Sequence, residues 1–507
     1  MKKSKYPFNL LDKCHIEFDE SQPFEVFEIE ARSFLNYKRL DLFAILLYID
    51  HKARGIDASY AREVYKERTR AVTGFKFKEQ GNDSKDSFNK FLETLDSLIE
   101  IFSSGSFDPN ISIIPVDKND FLLDGAHRIA CAAYFNKSVT VVRFTTLETG
   151  FNANYQWLEE RFIPTESLDA MALEYCKYKK NIHMFVFWPK SFRDSRNIEE
   201  AYNLIERKTN VVYRKKTKLN YTATRNLILQ IYSHMDWIGT IEDQHNNTYG
   251  KANEVYDSCE KFEFILVESH SFETISNLKE EIRDMLKIDL ASVHSTDNWY
   301  ETHQIANLVL NPNSIHHLET SEPDKFKKPF KLIQDYKKLF KNTNHDSNDY
   351  ILDASIVLSA YGIREARDLD YLTANEDDDI SKKISNNQEL IENHAEFSQY
   401  YDCAIEDLIY NPANYFVFSD MKFVSLENLY QYKIKRAEKK DLIDARLIKM
   451  YRSNGKQSVK YYILKFRNDL SRLMQIARIE STIILMNALK KIGLYNILRK
   501  IYRSFVK

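Results

Sequence analysis

The chain has 507 residues, a formal net charge of −2, 43% hydrophobic residues and 29% charged ones. At roughly 100–200 residues per domain this implies about three domains, and such a composition excludes wholesale disorder. The near-neutral balance argues against a general nucleic-acid binder, which carries a strong basic excess, and leaves only a local basic patch open.

The cysteines are Cys14, Cys131, Cys176, Cys259 and Cys403. They are odd in number, widely spaced and free of any CxxC pair. That pattern fits a reducing compartment and opposes a disulfide scaffold or a zinc ribbon. The start, MKKSKYPFNLLDKCHIEFDE, turns from basic to acidic without an apolar stretch of signal-peptide length. No run reaches the roughly 18 apolar residues of a spanning helix. The expected location is cytoplasmic. With 11 glycines and 10 prolines, linkers are expected to be short or helical.

Apolar residues three and four apart predict helix over 32–72 and again over 87–104, with Gly105 at the second C-terminus. ISIIPV and VTVVRF are β-branched runs and predict strands. A first unit therefore ends near residue 165. A second α/β unit, 175–320, follows. It has strands at IHMFVFWP, VVYRKKTKL and FEFILVES, with helices at IEEAYNLIER, NLKEEIRDML and WYETHQIANLVL. Residues 321–349 are charged and polar and predict a linker around one basic helix. A third unit spans 345–450, and a basic helical tail spans 455–507. The expected fold is a multidomain α/β (α+β) chain.

The stretch FLLDGAHRIACAAYF, residues 121–135, carries the first chemistry. A strand ending at Leu123 would deliver Asp124, Gly125, Ala126, His127 and Arg128 to a sheet edge at the start of a helix. Gly125 permits a tight turn or the close approach of a ligand. The helix start offers unpaired N–H groups and a positive dipole end, which suits an anion. Arg128 can grip phosphate oxygens with two parallel bonds, and His127 can donate to phosphate or carry a proton. Asp124 can hold a metal or orient His127. The plainer reading is that Asp124 caps the helix and that His127 and Arg128 make structural bonds. Cys131, inside the helix, is expected to pack as a small hydrophobe.

The order helix, Pro-Val strand, strand into DGxHR, Ala-rich helix and closing strand resembles the ParB/sulfiredoxin-like domain over about residues 70–150. Members include partition CTPases, sulfiredoxins and free serine kinases. The resemblance implies nucleotide phosphates at Gly125, Ala126, His127 and Arg128. Sulfiredoxins carry Cys where this chain has Ala126, so repair of sulfinic acids is not implied. The helix-turn-helix DNA reader of partition proteins has no counterpart here. The serine kinases use an upstream glutamate as base, for which the candidates are Glu79 and Glu93.

A second chemistry lies in ILDASIVLSAYGIREARDLDYL, residues 351–372. Asp368 and Asp370 are two apart, so on a strand both carboxylates share a face. Paired carboxylates can hold a divalent metal that bridges triphosphate oxygens. Ser355, at a helix start, can hold phosphate. The plainer alternative pairs both acids with Arg364 and Arg367. The pattern resembles the polymerase-beta-type nucleotidyltransferase core over about residues 350–450, with Asp368 and Asp370 as metal ligands. The later Ser425, Leu426, Lys433, Lys440, Asp441 and Asp444 match the continuation of that pattern, Lys433 facing nucleotide. Two departures stand out. Ala354 replaces the usual glycine, and the third carboxylate has no counterpart in NYFVFSDMKF, where Asp420 reads as a turn residue.

The middle unit faintly resembles nucleoside diphosphate kinase at His294, Ser295, Asp297 and Glu301, with Arg283 and Lys251 upstream. The plainer reading makes His294 a hydrogen-bonded strand residue. The tail ALKKIGLYNILRKIYRSFVK places Leu489, Ile492, Tyr495, Leu498, Ile501 and Phe505 on one face of a cationic helix broken at Gly493. Such a helix suits either an anionic membrane surface or its own domain.

These features together imply a nucleotide-dependent phosphotransferase or nucleotidyltransferase. Mg²⁺ and ATP or CTP would serve a small hydroxylated acceptor, as in making an activated precursor of a surface polysaccharide. The alternatives are a nucleotide-gated binding or scaffold protein, and a nucleotidyltransferase-type toxin or defence protein.

Overall fold

The computed structural model describes residues 6–454 except 12–17, 57–58, 80–83, 106, 151, 341–342, 344, 376–377, 379 and 381–390, together with scattered helical positions between 474 and 494. The fold is mixed α/β with three sheets. Residues Met1–Leu442 form one compact unit and Ile443–Lys507 a second. The tail beyond residue 454 lies mostly outside the described residues, including Gly493, Tyr495, Leu498, Ile501 and Phe505. Among the described residues no helix is long and apolar enough to cross a membrane.

The first sheet holds β1 (Phe24–Glu30), β2 (Ile114–Val116) and β3 (Ser138–Phe144) in the order β1-β3-β2. β1 runs antiparallel to β3, and β2 parallel to it. Around it lie α1 (Asp41–Ala53), α2 (Ser59–Val72), α3 (Phe88–Ser104) and α4 (Ala126–Tyr134).

The single helix expected over 32–72 is instead a short 3-10 turn and two helices. Gly55 stops α1 at φ +71, and the Ile56 N–H reaches back to the His51 carbonyl at 2.9 Å. This is the left-handed helix stop that glycine favours. The strand expected before Asp124 shrinks to one bridge between Leu122 and Val116. The Asp117 carboxylate accepts from the Asn119 and Phe121 N–H groups and curls the chain there.

The middle sheet has β4 (Ile182–Phe187), β5 (Asn210–Lys218), β6 (Lys261–Glu268) and β7 (Val293–Ser295) in the order β5-β6-β4-β7, every pair antiparallel. With α5 (Ser195–Lys208) and α6 (Phe272–Leu286) this is a split β-α-β-β-α-β arrangement. Phe185, Ile205, Ile265, Leu278 and Val293 pack the core between that sheet and those helices.

The third sheet runs β10-β9-β8-β12-β11. Its strands are β8 (Tyr350–Asp353), β9 (Leu369–Thr373), β10 (Ile391–Asn393), β11 (Tyr415–Phe418) and β12 (Met421–Val424). The segment expected as a linker is packed. Its basic helix α7 (Lys327–Phe340) buries Leu332, Ile333 and Tyr336, and Tyr336 meets the Tyr371 ring at 5.5 Å. Lysines occupy the opposite face, so the polar composition of 321–349 hid an amphipathic helix.

Candidate functional site

The backbone of the third sheet gathers acids. Asp353 ends β8 and lies opposite Asp370 in the antiparallel register of β8 and β9. Glu392 lies opposite Asp370 in the parallel register of β9 and β10. Registered neighbours share a face of a sheet. Three carboxylates therefore form a row across three adjacent strands. Asp368 precedes β9 and accepts from the Ser355 hydroxyl at 3.1 Å.

Ala354 follows Asp353 at φ 55, ψ −126. That region belongs essentially to glycine, and a side chain there is strained. That conformation turns the chain sharply from β8 into the short helix α8 (Ser355–Ala360) and so brings Ser355 to Asp368.

His394 closes the row. Its Nε2 is 3.1 Å from Asp370 Oδ1, and its Nδ1 is 3.7 Å from Asp353 Oδ2. Asp353 is fully buried, Asp370 is 6% exposed and His394 8%. Asp353 Oδ1 accepts from the Ala354 N–H at 2.5 Å and from the Tyr401 hydroxyl. Asp353 Oδ2 and His394 Nδ1 are buried without a hydrogen bond.

Burial raises the Asp370 pKa, His394 opposes that, and the charges of Asp368 and Asp353 add to it. For His394 burial pulls the pKa down, but Asp353 and Asp370 outweigh it and push it up to about 9. One atom each from Asp370, Glu392 and His394 lie within 4.8 Å of one another. By its chemistry this donor set fits a divalent cation.

The Lys433 ammonium is buried and 2.7 Å from Asp441, which Arg436 also reaches at 2.7 Å. Asp420 sits in the β11–β12 turn at φ +61, where it pairs with Lys337 and accepts from the Tyr300 hydroxyl.

The first turn is built differently. Gly125 is the N-cap of α4 at φ +88, and a Cβ there would lie 3.2 Å from both Ile114 and the Arg128 guanidinium. Ala126 opens the helix, half-buried. His127 is buried, with Nε2 2.7 Å from the Tyr65 hydroxyl. Burial, then the charges of Arg68 and Lys85, hold its pKa well below the ordinary range. Arg128 is also buried. It donates to Ser112 at 2.6 Å and lies 3.5 Å from Asp124. Glu79 pairs with Lys85 at 3.0 Å, while Glu93 is exposed on α3 and pairs with Lys90 at 2.6 Å. Cys131 is fully buried.

In the middle sheet, His294 Nε2 is 2.9 Å from Glu301, and its Nδ1 is 3.3 Å from the Tyr232 hydroxyl. Glu301 also accepts from the Asp297 N–H at 2.7 Å. Arg283 and Lys251 donate to the backbone carbonyls of Val293 and Leu290 respectively.

Asp353, Glu392 and His394 were not singled out from the sequence. β10 has only three residues and lacks the β-branched run that marks a strand. The available signal was the Glu-x-His spacing of ELIENH. Comparison with protein-family models, curated proteins and solved structures finds no match.

Proposed function

We propose that the third sheet carries a divalent-metal-dependent nucleotidyltransferase site, acting with ATP or CTP on the hydroxyl of a small metabolite. The observation that carries this reading is the row Asp353, Asp370 and Glu392 across three neighbouring strands, with Asp368 and Ser355 at its edge. Glu392 supplies, on the strand beside Asp370, the third carboxylate that the nucleotidyltransferase pattern calls for.

Asp370 and Glu392, with Asp368 at the edge of the row, are the carboxylates that would hold the cation. A cation there would neutralise triphosphate oxygens and make the acceptor hydroxyl easier to deprotonate. The chain's own residues do the positioning. Ser355 orients Asp368 through its hydroxyl. Tyr401 and the Ala354 N–H fix the Asp353 carboxylate at the floor of the row. The strained Ala354 sets the angle between strand and helix.

Phosphotransfer at the Asp124–Arg128 turn has less support. His127 is bonded to Tyr65, and Arg128 is held by Ser112 and Asp124, so both side chains serve the surrounding core.

Phosphorus NMR of the purified chain tests this. The sample holds Mg²⁺ or Mn²⁺, ATP or CTP, and a pool of amino acids and polyols. Pyrophosphate with a new phosphodiester is the expected result. A nucleoside diphosphate with a phosphomonoester would move the chemistry to the Asp124–Arg128 turn. Unchanged nucleotides under every condition would favour the nucleotide-binding or scaffold reading.

A further inference from the structure

We propose that Asp370, Glu392 and His394 bind a first-row transition-metal dication, with Asp353 orienting the imidazole, in preference to Mg²⁺ or Ca²⁺. This deepens the reading of the same site and rests on it for the site's role, though not for the metal.

Three observations carry it. Bonds of about 2.0–2.2 Å from a cation place adjacent ligand atoms about 2.8–3.6 Å apart, depending on the coordination angle. His394 Nε2 and Asp370 Oδ1 are 3.1 Å apart, with a Glu392 oxygen in the same 4.8 Å group. An imidazolium between Asp370 and Asp353 would also give that contact, so the metal reading rests on a Glu392 oxygen joining the same donor group. Nδ1 faces Asp353 Oδ2 at 3.7 Å, an ion-pair contact longer than a hydrogen bond, and both atoms are buried. A histidine that ligates a metal through one nitrogen characteristically donates from the other to a carboxylate. A small movement of the ring toward Asp353 would shorten that contact to a hydrogen bond. Asp353 is a positioning residue in this arrangement. Its other oxygen is already fixed by the Ala354 N–H and by Tyr401, so it is pre-oriented for the imidazole.

The donor set then selects the metal. Two carboxylates and an imidazole suit Mn²⁺, Fe²⁺, Co²⁺ or Zn²⁺. Mg²⁺ prefers oxygen ligands and keeps its waters.

The test is metal binding by the full-length protein after chelator stripping. Calorimetry measures Mn²⁺, Co²⁺ and Mg²⁺ separately, and pulsed EPR of bound Mn²⁺ reports a directly bonded nitrogen. The expected result is a ¹⁴N coupling, with Co²⁺ and Mn²⁺ bound more tightly than Mg²⁺ by at least about tenfold. His394→Gln should remove the coupling and lower Mn²⁺ and Co²⁺ affinity by about tenfold or more, leaving Mg²⁺ affinity unchanged. Asp353→Asn should weaken Mn²⁺ by about 10–100-fold while the nitrogen coupling persists. Wild-type EPR needs no variant, so a poorly folded mutant cannot hide the answer. Absence of the coupling, equal affinity for Mg²⁺ and Mn²⁺, or tighter metal binding by His394→Gln would each overturn the proposal. Nucleotide turnover with Mg²⁺ and no nitrogen coupling would sink this inference and spare the transferase reading. Nitrogen coupling without any turnover would do the reverse.

Discussion

Asp353 and Asp370 face each other across the β8–β9 pair, and one imidazole, His394, lies against both. Two buried acids side by side repel unless a positive group stands between them. Here a histidine from the strand edge fills that role. The imidazole thus joins two neighbouring strands at the sheet edge, and the consequences below follow from that geometry and from the packing around it.

Glu392 is the cleanest probe of the row, because it is exposed while its partners are buried. Glu392→Gln should leave stability within about 0.5 kcal/mol, as for most surface substitutions. Nucleotide turnover should fall by about two orders of magnitude or more with one metal-holding charge removed. Thermal melts and phosphorus NMR on the same preparation read both. Unaltered turnover would take Glu392 out of the site.

Ala354 is strained at φ 55, ψ −126. Removing its Cβ relieves about 1–3 kcal/mol of strain, against a backbone-entropy cost of about 0.5–1 kcal/mol for glycine. Ala354→Gly should therefore stabilise the chain by about 1 kcal/mol, and Ala354→Val should destabilise it. Urea denaturation midpoints decide the sign. A less stable glycine variant would mean that the alanine methyl packs usefully there.

Tyr65 and His127 are both buried and 2.7 Å apart. Tyr65→Phe keeps the ring and strips the hydroxyl, leaving His127 Nε2 without that partner. A buried polar atom so abandoned costs about 1–3 kcal/mol. The expected outcome is that loss in stability with nucleotide turnover unchanged. Turnover that collapses while stability holds would restore His127 as a chemical group.

His317 governs a pH effect. Its ring stacks on Phe416 at 4.5 Å, and its Nε2 meets the Ala360 carbonyl at 2.9 Å. Burial lowers its pKa from 6.5 to about 3. The unfolded chain thus binds the extra proton between those values. The stability that His317 contributes is complete above pH 6.5 and is lost as pH falls toward 3, by about 1.4 kcal/mol per pH unit. Replacing it by glutamine should flatten that part of the pH–stability curve. Equal slopes for wild type and His317→Gln between pH 6 and 4 would show that the ring is protonated without penalty.

Much of the third sheet was legible in the chain. The turn at Ala354-Ser355 before a helix and the strand bearing Asp370 were expected from the small residues and from two acids spaced for one face, although Asp368 lies just before β9 and not on it. Those are local signals, set within a few residues. The helix of 32–72 was legible only in outline, because its break depends on Gly55 adopting a left-handed turn that periodicity does not report. The strand before Asp124 was over-read, since the Asp117 side chain captures the backbone that would have paired.

By itself the sequence determined the alternation of helices and strands and the mixed α/β class. Tertiary structure alone decided the rest of the site. Glu392 and His394 reach Asp370 through a three-residue strand whose pairing is long-range. No local pattern encodes which strand lies beside which. His127 and Arg128 show the converse. Their spacing invites a phosphate, and only the packing of Tyr65 and Ser112 against them shows that their polar atoms are already engaged. Side-chain chemistry is written in the chain, but what each group faces is settled by which distant segments can bury their apolar surfaces together.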